Sequence, residues 1–321
     1  HHWNLTDSGA YGFVANTSGG DSFDCWSLPN GDFGKTDITQ TGTNEINVGS
    51  GNNLIVALGG NNTILCGSGN DTVYSSDTSE RWATYGAEAN NYIFSGAGNS
   101  IIYGSGGNDT IISGSAEGTG KATTIYAGDG NESIVGGNGA DSIYGGAGND
   151  TIIAGRGNTL IKAGDGNSLI YGGDGSDTIY GGEGQNIIDA GDGGTTNAAT
   201  EVHAGNGANT ITGGTGVDKL FGGSGSDTLV AGNGTSTLYG GSGTEVMYGN
   251  GDATLIGGSG NDTLFGGDGT DVLLGGGGNT TFVAGMGDET IVGGSGSNTY
   301  LKMGLGNVEL VNAKSGDLFQ F

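Results

Sequence analysis

One feature constrains every fold this chain could adopt. A small residue, Gly or Ala, returns every nine residues, and an apolar residue follows it seven positions later. The slots open at Gly136, Gly145, Ala154, Ala163, Gly172 and Gly181 without a slip, then resume at Ala204, Gly213, Gly222, Ala231 and Gly240. The slot at Gly249 is one residue short, and the series continues through Gly257, Gly266, Gly275, Ala284 and Gly293. Upstream, Cys66, Gly104 and Ala127 open recognisable slots. A fixed period of this kind marks a repeat architecture. Counting the small residue as position 1, positions 2 and 4 are almost always Gly, which supplies the positive φ and close backbone approach of a tight turn. Positions 7 to 9 form a short strand, with position 8 facing one way and positions 7 and 9 the other. Position 8 carries Ile143, Ile152, Ile161, Ile170 and Ile179, and later Leu220, Leu229, Leu238, Met247 and Phe282. One slot is a turn plus a strand. Two slots make an 18-residue coil with strands on opposite sheets, and stacked coils sandwich the position-8 residues in a narrow dry core.

Composition removes the competing classes. The chain has 321 residues, 76 of them Gly and one Pro, Pro29, without a Gly-X-Y period, so collagen is excluded. Disordered Gly-rich chains lack regularly spaced Ile, Leu, Val and Tyr. The net charge of −26 comes from 34 acids against 8 bases, which excludes a nucleic-acid partner, since phosphate binding needs clustered Lys and Arg. No apolar run reaches the ~18–20 residues of a membrane span, and no signal peptide is visible. His1 and His2 resemble the end of a purification tag. Cys25 and Cys66 allow one disulfide or two free thiols. No catalytic constellation appears. His203 is the only His beyond the first two, and no G-x-S-x-G elbow occurs. The Gly34–Thr36 triplet has Pro29 where a P-loop needs its first Gly. The expectation is a non-enzyme, with any catalytic domain outside this chain.

The nonapeptide Gly145-Gly-Ala-Gly-Asn-Asp-Thr-Ile-Ile153 fits G-G-x-G-x-D-x-U-x and resembles the RTX (repeats-in-toxin) calcium-binding repeat, over roughly residues 50–301. The resemblance implies an all-β fold, a right-handed parallel β-roll (β-solenoid) with two short strands per 18-residue coil. It implies Ca²⁺ ions in the turns, held by backbone carbonyls and by position-6 acids of loops one coil apart, an oxygen donor set suited to a hard cation. It also implies a bacterial protein secreted by the type I route, folding on calcium outside the cell or at its surface. The candidate metal ligands are Asp71, Asp109, Glu132, Asp141, Asp150, Asp177, Asp218, Asp227, Glu245, Asp262, Asp271 and Glu289.

Position 6 departs from the family pattern. One edge of the predicted roll reads Asp109, Glu132, Asp150, Ser168, Asn186, Asn209, Asp227, Glu245, Asp262, Thr280, Asn298. The other reads Asp141, Thr159, Asp177, an insertion, Asp218, Ser236, the shortened slot, Asp271, Glu289. No two aspartates are neighbours on either edge. Stacked carboxylates ~4.8 Å apart repel without a cation, whereas Ser, Thr and Asn can hydrogen-bond there. The expectation is a hybrid roll. Ions fill the turns around Asp109–Glu132–Asp150, Asp227–Glu245–Asp262 and Asp271–Glu289, and hydrogen bonds hold the others. Acids at position 3 (Asp129, Asp165, Asp174, Asp268) read either as extra ligands or as solvated turn residues, the second being favoured.

Residues 1–48 lie outside the repeat and read as a capping or linker segment. Residues 49–301 form the roll, with insertions near 75–94, 113–126 and 190–203, and residues 302–321 read as a closing segment. The expected role is structural. The rival readings are an adhesive, ice-binding or carbohydrate-binding rod with a cell-surface or polysaccharide partner, and the C-terminal secretion module of an exported hydrolase or epimerase. Position 9 is often aromatic, and Thr recurs at position 7 but is interrupted by Leu160, Leu169, Ile187 and Lys219, which weakens the ice-binding reading.

Overall fold

The computed structural model describes residues 2–5, 14–15, 22–25, 36–39, 44–48, 54–58, 62–66, 72–76, 90–95, 99–113, 122–192 and 199–320. Every element among them is a β-strand, and no helix occurs that could cross a membrane. The chain divides into two compact units, His1–Asp165 and Gly166–Phe321.

In the first unit, strands two apart in chain order pair in parallel. Thr110–Ile112 pairs with Ser133–Val135, which pairs with Thr151–Ile153. In the second sheet Ile101–Gly106, Thr124–Asp129, Ser142–Ala147 and Leu160–Asp165 pair in succession. The register sets like on like. Ile111, Ile134 and Ile152 form one column, and Ile102, Ile125, Ile143 and Ile161 form the other, all fully buried. Described strands within residues 1–48 follow the same rule: His2–Leu5 pairs with Ser22–Cys25, which pairs with Asn44–Val48, and Val14–Ala15 pairs with Thr36–Thr39.

The second unit repeats the arrangement. Ile188, Ile211, Leu229, Met247, Leu264, Phe282 and Tyr300 form one buried column, and Ile179, Val202, Leu220, Leu238, Leu255, Leu273 and Ile291 the other. Two later strands continue the pairing, Val308–Val311 on Asp288–Val292 and Leu318–Gln320 on Thr299–Lys302. Each coil returns to the same sheet in the same direction, so the pairing is parallel and the β-branched side chains stack on their equivalents.

The in–out alternation runs further than three residues. Asp150 is buried, Thr151 half-buried, Ile152 buried, Ile153 exposed and Ala154 buried. The core therefore has three inward positions, 6, 8 and 1. The sequence pattern assigns only position 8 to it. Tight turns close each coil. Gly148 lies at φ +137°, and a Cβ there would run into the carbonyl oxygen of Gly130 in the preceding coil. The turn backbone is paired between coils: the Arg156 N–H donates to the Gly137 carbonyl at 2.7 Å, and the Gly130 N–H donates to the Ala147 carbonyl at 2.7 Å.

Outward position-9 rings stack along the sheets. Tyr103, Tyr126 and Tyr144 lie 4.9 and 4.8 Å apart, nearly coplanar in tilt, with the Lys162 ammonium over Tyr144. In the second unit Tyr180, His203, Phe221 and Tyr239 form a similar stack.

Ile152→Ala should lower unfolding stability by about 2–5 kcal/mol, since the neighbouring coils fix the space it leaves. Gly148→Ala should also destabilise, because its φ and the Gly130 carbonyl both oppose a side chain. Urea unfolding followed by far-UV circular dichroism measures both.

Candidate metal centre

The site is the row of position-6 side chains, at or immediately before the start of the strands. The described polar members from Asn91 to Asn298 are buried, whether Asp, Glu, Asn, Ser or Thr. Each sits at the start of the in–out alternation, so its side chain points under the turn rather than to solvent.

One oxygen of this side chain accepts the backbone N–H of the position-6 residue in the preceding coil. In the first unit Asp109 Oδ1 accepts from the Asn91 N–H at 2.7 Å, Asp141 from Thr123 at 2.6 Å and Asp150 from Glu132 at 3.0 Å. In the second unit Asn186 Oδ1 accepts from Ser168 at 2.8 Å, Asn209 from Asn186 at 2.8 Å and Asp227 from Asn209 at 2.7 Å. Asp218 accepts from Thr200 at 3.1 Å, Asp262 from Glu245 at 3.1 Å and Asp271 from Ala253 at 2.8 Å. Thr200 and Ser236 use their hydroxyls in the same way, accepting from the Asp177 and Asp218 amides. What the residues that make this bond share is one acceptor oxygen on a short side chain; Glu132, Glu245 and Ala253 stand at position 6 without making it. A charge is not part of it, so the acid can be exchanged for Asn, Ser or Thr while the frame persists.

Position 5 carries a second ladder of opposite sense. Here the side-chain oxygen of one coil accepts from the next: the Asn131 N–H donates to Asn108 Oδ1 at 2.7 Å, and the Asn149 N–H to Asn131 Oδ1 at 2.8 Å. The pair Gln185 and Asn167 repeats it in the second unit, at 2.7 Å. Position-5 Asn and the inward turn of position 6 are functional features that periodicity does not disclose. The recurring Asn before the acid is the signal that points to the first.

The second carboxyl oxygen is the one left unused. Oδ2 of Asp109, Asp141, Asp218, Asp227, Asp262 and Asp271 is buried without a hydrogen-bond partner. It lies beside the Cα of the position-1 glycine and near the position-1 carbonyl of the next coil. The Cβ locus at Gly222 is 2.6 Å from Asp227 Oδ2 and 2.7 Å from the Gly240 oxygen. Burial pushes the carboxyl of Asp109 up to about 7, of Asp271 to about 7, and of Asp141 and Asp218 to about 6, with the accepted amide bonds pulling partly back. Asp227 is raised for the same reasons.

The expected acid groupings lie in register. Asp109, Glu132 and Asp150 are successive on one edge, as are Asp227, Glu245 and Asp262, and Asp271 is paired directly with Glu289. Glu132 and Glu245 interrupt the ladder. Their longer side chains leave both oxygens buried and without a well-formed hydrogen bond. Burial, then the carboxyl of Asp150, then the charge of Asp109 hold Glu132 far above the usual range, and Asp262 and Asp227 do the same to Glu245. Glu289 instead accepts from the Gly285 N–H at 3.0 Å and keeps one buried oxygen unpaired. Asp141 and Asp218 have uncharged position-6 neighbours, and Asp177 has Thr200 next to it in its own unit. Asp71 lies outside the described residues. At position 3, Asp129, Asp165 and Asp268 are exposed and Asp174 is half-buried.

Among the described residues no three His, Cys, Asp or Glu side chains converge on one point. A cation in these turns would draw most of its ligands from backbone carbonyls. The donor chemistry fits Ca²⁺: every candidate ligand is oxygen, and buried carboxyl oxygens remain uncommitted. The Asn, Ser and Thr turns bring no charge and fit less well.

These features define a parallel β-solenoid whose turns are lined by buried oxygen donors. The family model of the RTX calcium-binding nonapeptide repeat matches residues 38–74, 85–119, 126–161, 162–196, 197–229, 221–253, 249–282 and 283–299, and the chain belongs to that family. Comparison with curated proteins gave no match.

Two outcomes are expected in excess EGTA. Asp227→Asn should keep or raise stability, because it preserves the acceptor for Asn209 and removes a buried charge, whereas Asp227→Ala should cost about 1–3 kcal/mol by orphaning that amide. Acidification should stabilise the ion-free chain. The raised carboxyls contribute stability fully below the ordinary carboxylate value of 3.8, and that contribution is lost as pH rises through about 6 to 7. The urea midpoint should therefore be higher at pH 5 than at pH 8.

Proposed function

We propose that this chain is a calcium-responsive structural roll of a secreted bacterial protein, folding outside the cell and stiffening or presenting a neighbouring part of its parent. The observation that carries the reading is the set of buried, unpartnered carboxyl oxygens in a chain of this family. Uncompensated buried carboxylates are costly, and a bound divalent cation supplies the missing positive charge. Asp109, Asp141, Asp218, Asp227, Asp262 and Asp271 would offer Oδ2 to it, while their Oδ1 atoms go on holding the preceding coil. Asn, Ser and Thr turns keep the coil joined where no ion is required. A cation that binds only the folded roll adds stability by mass action, about 2.7 kcal/mol per site at a hundredfold excess over Kd. In the cell such a chain stays less folded at low calcium and becomes fully folded where calcium is plentiful, which suits export by the type I route.

The repeat is a structural unit, and this reading assigns any reaction of the parent protein to another part of it. The rival carbohydrate-binding reading gains little from the exposed rings. Tyr126 stacks on both Tyr103 and Tyr144, so its faces are covered and only its edge is open to a ligand.

Circular dichroism in excess EGTA, followed by a calcium titration, tests the proposal. A rise in β signal, or in the urea midpoint, at millimolar calcium is expected. An equally folded and equally stable chain with and without calcium would overturn it.

A further inference from the structure

Position 1 and position 6 of each slot, five residues apart, are coupled. Every buried position-6 Asp follows a Gly at position 1, as in Gly104–Asp109, Gly136–Asp141, Gly213–Asp218 and Gly257–Asp262. Where position 1 is Ala, position 6 is never Asp: Ala127, Ala154, Ala163, Ala204, Ala231 and Ala284 precede Glu132, Thr159, Ser168, Asn209, Ser236 and Glu289. Asn, Thr and Glu also occur after Gly, so the exclusion runs one way. Cys66 precedes Asp71 outside the described residues. In the last coil Asn312 precedes Asp317, where Asn312 is exposed and Asp317 only half-buried.

The geometry gives the cause. Position 1 points inward, and the place its Cβ would take is the place the Asp oxygen occupies. The Cβ locus is 2.5 Å from Asp109 Oδ2 at Gly104, 2.5 Å from Asp262 Oδ2 at Gly257, and 3.0 Å from Asp218 Oδ2 at Gly213, and the position-1 carbonyl oxygen of the next coil also opposes it, nearer than the carboxylate at Gly104 (Ala127) and at Gly213 (Ala231, 2.5 Å). These Oδ2 atoms are buried and unpartnered. An Ala side chain fills that space, as the fully buried Ala231 does beside Ser236. The Ser236 hydroxyl is shorter and donates to the Ala231 carbonyl at 3.3 Å.

We propose that the position-1 residue is the specificity determinant of each turn: Gly opens the space that a buried Asp carboxyl oxygen occupies, and Ala closes it to Asp, leaving the turn to Ser, Thr, Asn or the longer Glu. A calcium effect on the turn rests on the function proposed above, and the packing rule does not.

Two double-mutant cycles on the full chain test it. Gly222→Ala, Asp227→Ser and the pair form the first, and Ala231→Gly, Ser236→Asp and the pair form the second. Each is read as a urea midpoint in EGTA and again in calcium. In EGTA, Gly222→Ala should be rescued by Asp227→Ser. Ser236→Asp should lower the folding constant about tenfold more in the wild-type background than in the Ala231→Gly background, the coupling expected of contacting residues. In calcium, Ala231→Gly/Ser236→Asp should gain stability relative to EGTA beyond the wild-type gain, and Ser236→Asp alone should not. If Gly222→Ala does not fold, refolding of the pair counts as rescue, and if neither folds the second cycle decides. Additive effects in EGTA overturn the packing rule. Coupling in EGTA with no calcium effect on any variant, wild type included, keeps the rule and overturns the calcium reading alone.

Discussion

A single side-chain oxygen accepting the amide of the preceding coil is what the rest of the structure depends on. Where it forms, it ties position 6, just ahead of the strand, to the preceding coil, with that side chain turned inward. From there alternation places position 8 in the core and position 1 beside it. The turn amides and carbonyls pair between coils in the same register. A β-solenoid gains little from long-range packing, since each coil touches chiefly its neighbours. Its cohesion is therefore the sum of repeated short contacts, and the position-6 bond is a buried polar one among them.

This constraint gives the acid two separable tasks. Oδ1 of Asp performs the same work as the Asn oxygen or the Thr hydroxyl, so the coil does not need a charge there. Oδ2 is surplus to that work and sits in a dry space left by a glycine. Such an atom costs stability unless it is protonated or meets a cation. The same family of turns thus holds uncharged coils and carboxylate-bearing ones side by side, with the frame unchanged.

The outward faces follow from the same register. Stacking like on like brings position-9 rings face to face at van der Waals spacing, so tyrosines that are exposed at their edges still contribute to cohesion. His203 takes a ring place between Tyr180 and Phe221, with its Nε2 2.7 Å from Glu201, and needs no catalytic explanation.

Much of this was legible in the sequence. The nine-residue period determined a two-stranded coil, the position-8 column is one of its three inward columns, and the irregular acids at position 6 set carboxylate-bearing turns apart from uncharged ones. The grouping of Asp109 with Glu132 and Asp150, and of Asp227 with Glu245 and Asp262, followed from counting two slots per coil. Periodicity could not show that position 6 points inward, because a turn residue and a first strand residue look alike until the pairing is known. Nor could it show the opposed Asn ladder at position 5, since both partners of each bond lie a whole coil apart. The sequence by itself determined which residues share a column, because that depends only on spacing. The tertiary structure alone decided which oxygen meets which amide, a contact that crosses between coils, and that the position-1 glycine lies against the carboxylate five residues on, because both are set by distances of a few ångströms that no spacing encodes.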